Sequence, residues 1–138
     1  MSTIDVNLDE FYADSIREQI AELKEELTQL EKIAKDSGLS RFEFRALERN
    51  LQLLVEIAIG MAKRVLKSAS KEVPSDSRKA FEKLKQYDLD NTVVDWPKAI
   101  GMRNALVHDY LSVDGQIITS VLTDGYYQQI FEFLEQYL

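Results

Sequence analysis

The chain has 138 residues, 45% of them hydrophobic and 30% charged, with a net charge of −7 and no cysteine. These values describe one folded domain, residues 1–138, with a single core. They exclude disulfides, thiolate chemistry and cysteine-based metal sites. Only five Gly and two Pro are present, too few turn-formers for a sheet protein, so the composition points to helices. The acidic N-terminus lacks the basic and apolar runs of a signal peptide, and no apolar run is long enough for a membrane helix. A cytoplasmic location without membrane contact is expected.

The first helix is predicted from about Leu8 to Ser37, with Asn7 as N-cap and Gly38 past its end. Ile16, Ile20, Leu23, Leu27, Leu30 and Ala34 alternate spacings of four and three, an apolar seam suited to packing on another helix. Ser40 and Glu43 have the spacing of a capping box and open the second helix. Its stripe from Phe44 to Val65, widened by Leu53 and Ile57, marks it as central. Pro74, Ser75 and Asp76 end this region.

A shorter helix from Ser77 to Tyr87 is anchored by Phe81 and Leu84, and Asp88-Leu-Asp-Asn91 reads as a turn. The next helix is expected to start with Asp95 as N-cap and Pro97 in its first turn, and to reach about Tyr110. Ser112 to Gly115 is a loop. Ile117 to Leu122 and Gly125 to Leu138 form one broken helix or two short ones. The expected fold is all-α, an up-and-down bundle of four to five helices.

Charge is uneven along the chain. Residues 1–37 carry ten acidic and four basic residues, whereas residues 63–85 carry eight basic residues against three acidic ones. That middle segment reads either as a basic stripe for a polyanion or as solvated helix faces.

His108 is the single histidine. Alone it fits a satisfied core residue as well as a catalytic one, but its neighbours are Arg103, Asn104 and Tyr110, all within two turns of one expected helix. Asn104 and His108 would share a face, with Arg103 and Tyr110 on the next. The result is a polar strip that becomes a cleft when a second copy faces it, which favours a symmetric homodimer. Arg and His together suit RNA cleavage through the 2′-hydroxyl. Imidazole, ordinarily titrating at about 6.5, serves as base or acid, and guanidinium matches phosphate oxygens. No metal or other cofactor is expected, because no acidic cluster has ligand spacing. Trp96, Tyr126 and Tyr127 are assigned to core or interface in preference to base stacking.

Arg103-x-x-x-x-His108-x-Tyr110 resembles the R-x-x-x-x-H-x-Y motif of HepT toxins, the HEPN half of HEPN–MNT (type VII) toxin–antitoxin pairs. Arg45 to Leu54 is similar to the family's second helix, and Tyr110 to Asp114 to its stretch after the motif. The resemblance covers about 90 residues from Arg41 onward. It implies the HEPN fold and an endoribonuclease acting on tRNA or mRNA, with Arg103 and His108 as the catalytic pair and Asn104 in support. It also implies that Tyr110 accepts AMP from an MNT nucleotidyltransferase antitoxin. Asp109 stands where relatives often have glycine, and its charge should repel RNA. Glu48, on the neighbouring helix, is a candidate to orient Arg103. The alternative readings are a non-catalytic, substrate-binding partner of a nucleotidyltransferase and a purely structural dimeric adaptor.

Overall fold

The computed structural model describes residues 5–108 and 114–138, and these residues form six helices and no strand. The first two, α1 (Glu10–Asp36) and α2 (Arg41–Ser68), are antiparallel and account for much of the bundle's length. α1 begins two residues later than expected. Its cap is Asp9, whose carboxylate accepts the Tyr12 N–H at 3.0 Å. Asn7 is equally fit to cap but is drawn elsewhere: its N–H reaches Ser68 Oγ at 2.7 Å, and its carbonyl accepts the Ser68 hydroxyl at 3.1 Å. The start of α1 is thereby tied to the end of α2.

The seam of α1 is buried from Ile16 through Leu30, with Ala34 half-buried at its end. Gly38 adopts φ +81°, a left-handed backbone that side chains disfavour, and its N–H closes on the Ile33 carbonyl at 3.0 Å. The expected capping box is present in full. Ser40 Oγ accepts the Glu43 N–H at 3.1 Å, and Glu43 Oε1 accepts the Ser40 N–H at 2.8 Å.

α2 is the central helix and packs on α1 and on three helices that follow it in the chain. Leu47, Leu51, Leu54, Ala58, Met61 and Val65 are fully buried along it. Each such side chain contributes about 1.5–3 kcal/mol through removal from water, so truncating Leu54 to Ala would cost about 2–5 kcal/mol.

α3 (Ser77–Gln86) is capped by Asp76 and lays Phe81 and Leu84 into the core. The remaining elements are α4 (Trp96–Val107), α5 (Gly115–Thr123) and α6 (Tyr126–Glu135). Gly125, at φ +77°, separates α5 from α6, so the C-terminal region is two short helices and the described bundle has six helices where four or five were expected. Phe81 stacks on Trp96 with ring centres 3.7 Å apart, and Phe133 of α6 meets both rings edge-on at 5.6 and 5.0 Å. This aromatic cluster joins α3, α4 and α6. Among the described residues, no helix is long and apolar enough to cross a membrane.

Candidate functional site

The site depends on how α4 starts and stops. At its start, Asp95 Oδ1 accepts the Lys98 N–H at 3.2 Å, and Pro97 occupies the first turn, where its missing N–H costs nothing. Both features are as expected from the sequence. Trp96 and Ile100 are buried and fix which side of α4 faces the core.

The connection leading into α4 adds a feature that sequence reasoning missed. Asp88 takes φ +58°, a conformation aspartate tolerates better than most residues. Asp90 is then carried into the interior, only 4% exposed. Its carboxylate gathers the Thr92 N–H, the Thr92 hydroxyl and the Trp96 indole N–H, and faces the Lys85 ammonium at 3.3 Å. Lys85 also donates to the carbonyls of Asp90 and Thr92. Just past the end of α6, Gln136 Nε2 donates to the Leu89 carbonyl at 3.1 Å, and the Tyr137 hydroxyl donates to the same oxygen. The Asp90-Asn-Thr92 spacing was the available signal, because aspartate often accepts from the backbone two residues on.

At its other end α4 stops at Val107, short of the expected limit at Tyr110. The reason is loss of burial: Val107 is already 43% exposed, and a helix this short relies on packing for its stability. His108 is the C-cap, with extended backbone at φ −97°, ψ 93°, and its N–H returns to the Asn104 carbonyl at 3.2 Å. Asn104 and His108 are thus joined by the last i→i−4 main-chain bond of α4, one turn apart, and the chain departs from the helix at His108 itself. His108 is exposed, while Arg103 and Asn104 are half-buried in the last turns of α4. Asp109 and Tyr110 lie outside the described residues.

Arg103 carries a specific anomaly. Its Nε is buried and has no hydrogen-bond partner among the described residues. An orphaned donor of this kind costs about 1–3 kcal/mol in a folded protein, so its retention calls for a reason. Glu48 is half-buried on α2, the helix against which α4 packs most extensively. Among the described residues, no three His, Asp or Glu side chains gather as a metal-binding group.

The basic segment is mostly occupied in structural contacts. Arg64 lies 3.8 Å over the Tyr12 ring, Lys71 lies 4.4 Å over Tyr87, and Lys63 donates to the Ser75 carbonyl at 3.0 Å. Lys83 pairs with Glu72 at 3.7 Å, and Lys85 belongs to the Asp90 cluster. Arg78 is exposed and lies along α4, where a methyl group at Gly101 would stand 3.9 Å from its guanidinium. Five of the eight cations of the segment are thus engaged within the bundle, and Arg78 borders α4.

A helical bundle whose fourth helix presents arginine and asparagine and then ends on histidine is of HEPN type. The chain belongs to the HepT-like ribonuclease family: it matches the family described as "Ribonuclease HepT-like" over residues 13–137. It is 26% identical over 130 residues to the protein named mRNA nuclease HepT of Shewanella oneidensis, with 91% of this chain and 94% of that protein aligned. No solved structure matches the chain.

Proposed function

We propose that this protein is a metal-independent endoribonuclease toxin that cuts RNA where two copies of α4 face each other across a dimer axis. The observation that carries this reading is Arg103, half-buried in the last turns of α4 with its Nε unpartnered among the described residues, on the helix whose C-cap is the exposed His108. A guanidinium matches phosphate oxygens in shape and keeps its charge throughout the reaction. The relative's printed name, an mRNA nuclease, supports RNA as the substrate.

In the proposed reaction, one His108 takes the proton from the ribose 2′-hydroxyl as its oxygen attacks phosphorus. The P–O5′ bond breaks, and the His108 of the second copy delivers a proton to the departing 5′-oxygen. The products are a 2′,3′-cyclic phosphate and a 5′-hydroxyl. Arg103 bears the charge that builds on the non-bridging oxygens, and Asn104 supports it from the adjacent position. DNA lacks the attacking hydroxyl and is not a substrate.

The proposal extends to control. A cognate MNT nucleotidyltransferase, acting as antitoxin, would transfer AMP from ATP to the Tyr110 hydroxyl and release pyrophosphate. The added negative charge and bulk, two residues from His108, would compete with RNA for Arg103.

Cleavage of tRNA and mRNA by purified protein in EDTA tests the reading. Arg103→Ala and His108→Ala should each lower the rate by about 10²–10⁴-fold while preserving helical content. Undiminished cleavage in both variants would overturn the assignment.

A further inference from the structure

Between α4 and the α5–α6 pair lies a cleft of about 460 Å³. We propose that it is a nucleobase-binding subsite for the RNA strand whose phosphate is held at Arg103. The inference rests on the RNA-cleaving reading above and adds where the strand's base is held.

The lining argues for a flat, partly polar ligand. Ala99 and Met102 of α4 form one wall, and Val121 and Ile130 form the other. Tyr126, 53% exposed, contributes an aromatic ring at the side, and Gln129 and Ser120 add an amide and a hydroxyl among the apolar groups. Apolar walls, one ring and a few polar groups in a concavity of a few hundred Å³ are the general character of small-ligand sites. An unstacked base needs those same elements: an apolar slot for its faces, an aromatic ring to stack on, and donors and acceptors for its edge. The Ser120 hydroxyl donates to the Ile117 carbonyl at 2.7 Å, so it meets a base edge as an acceptor, while the Gln129 amide offers both roles.

Continuity with the candidate site supports the assignment. Met102 is the residue before Arg103, and Ala99 is one helical turn before it, a rise of about 5.4–6 Å. A base in the cleft and a phosphate at Arg103 are thus within the reach of neighbouring groups of one nucleotide strand. The Lys98 side chain at the rim is 87% exposed, and among the described residues its ion pair is a long one of 3.9 Å to Asp95, so its ammonium can meet a phosphate farther along the strand.

The test uses 2′-O-methyl hexanucleotides of A, C, G and U, which bind but lack the attacking hydroxyl, with binding read by fluorescence anisotropy on the full chain. Tyr126→Ala and the cleft-filling Val121→Trp should each weaken the preferred hexamer about tenfold and level the differences among the four bases, whereas Tyr126→Phe should retain binding. Circular dichroism confirms folding, and light scattering reports oligomeric state. Wild-type affinity and base preference in folded Tyr126→Ala and Val121→Trp would overturn the proposal. So would a wild-type dimer that becomes monomeric in Tyr126→Ala, since a second copy would then occupy the cleft. The two readings fail separately: cleavage surviving in Arg103→Ala removes the catalytic assignment, whereas base-independent binding with Arg103-dependent cleavage removes only the subsite.

Discussion

Trp96 donates its indole N–H to the buried carboxylate of Asp90 at 2.8 Å, from the first residue of the helix that carries Arg103. Thr92 adds its hydroxyl at 2.6 Å, and the Lys85 ammonium supplies the countercharge. Removing the carboxylate strands an indole donor and a hydroxyl in the interior. Asp90→Ala is therefore expected to cost about 3 kcal/mol, measured by urea unfolding, and Asp90→Asn less, because one acceptor oxygen remains.

Tyr137 predicts an alkaline effect. Burial, and then the negative charge of Asp90, push its phenol up to about 12 from 10.0. The folded state thus holds the proton more tightly than the unfolded chain does. The stability this contributes is complete below pH 10 and is lost as pH rises through about 12. Tyr137→Phe should show a flatter loss of stability over that window than the wild type, measured by unfolding at several alkaline pH values. Equal slopes would show that Tyr137 titrates alike in both states.

Arg103 offers a test of function against stability. Because its Nε is buried without an internal partner, Arg103→Met should be at least as stable as the wild type, with a gain of up to about 1 kcal/mol, while losing RNA cleavage. Thermal unfolding and the cleavage assay together check this. A marked loss of stability would mean that the guanidinium holds the fold together.

Gly101 is a glycine in the middle of α4, and among the described residues a methyl group there would meet the Arg78 guanidinium at an ordinary 3.9 Å. Gly101→Ala should stabilise the protein by about 0.5–1 kcal/mol and raise the melting temperature by about 2–4 °C. A lower melting temperature would indicate that Arg78 cannot yield the space.

Features set by neighbouring residues were legible in the sequence. The Ser40–Glu43 box, the Asp95 cap with Pro97 behind it and the apolar seams of α1 and α2 all appear where the spacing placed them. The end of α4 was not legible, because it depends on where the core stops covering Val107, and no local signal records that. Nor was the fate of the basic segment: Arg64 rests on Tyr12 and Lys63 on the Ser75 carbonyl, contacts that exist only once the bundle has formed. The Arg103–His108 spacing was visible from the start. Its geometry was not, since His108 leaves the helical path one residue after Val107.

The hold of Gln136 and Tyr137 on the Leu89 carbonyl has a bearing on biosynthesis. During translation, the segment that launches α4 lacks these two anchors until residue 137 has cleared the ribosome. Until then, nascent chains carry Arg103 and His108 on an incompletely braced support.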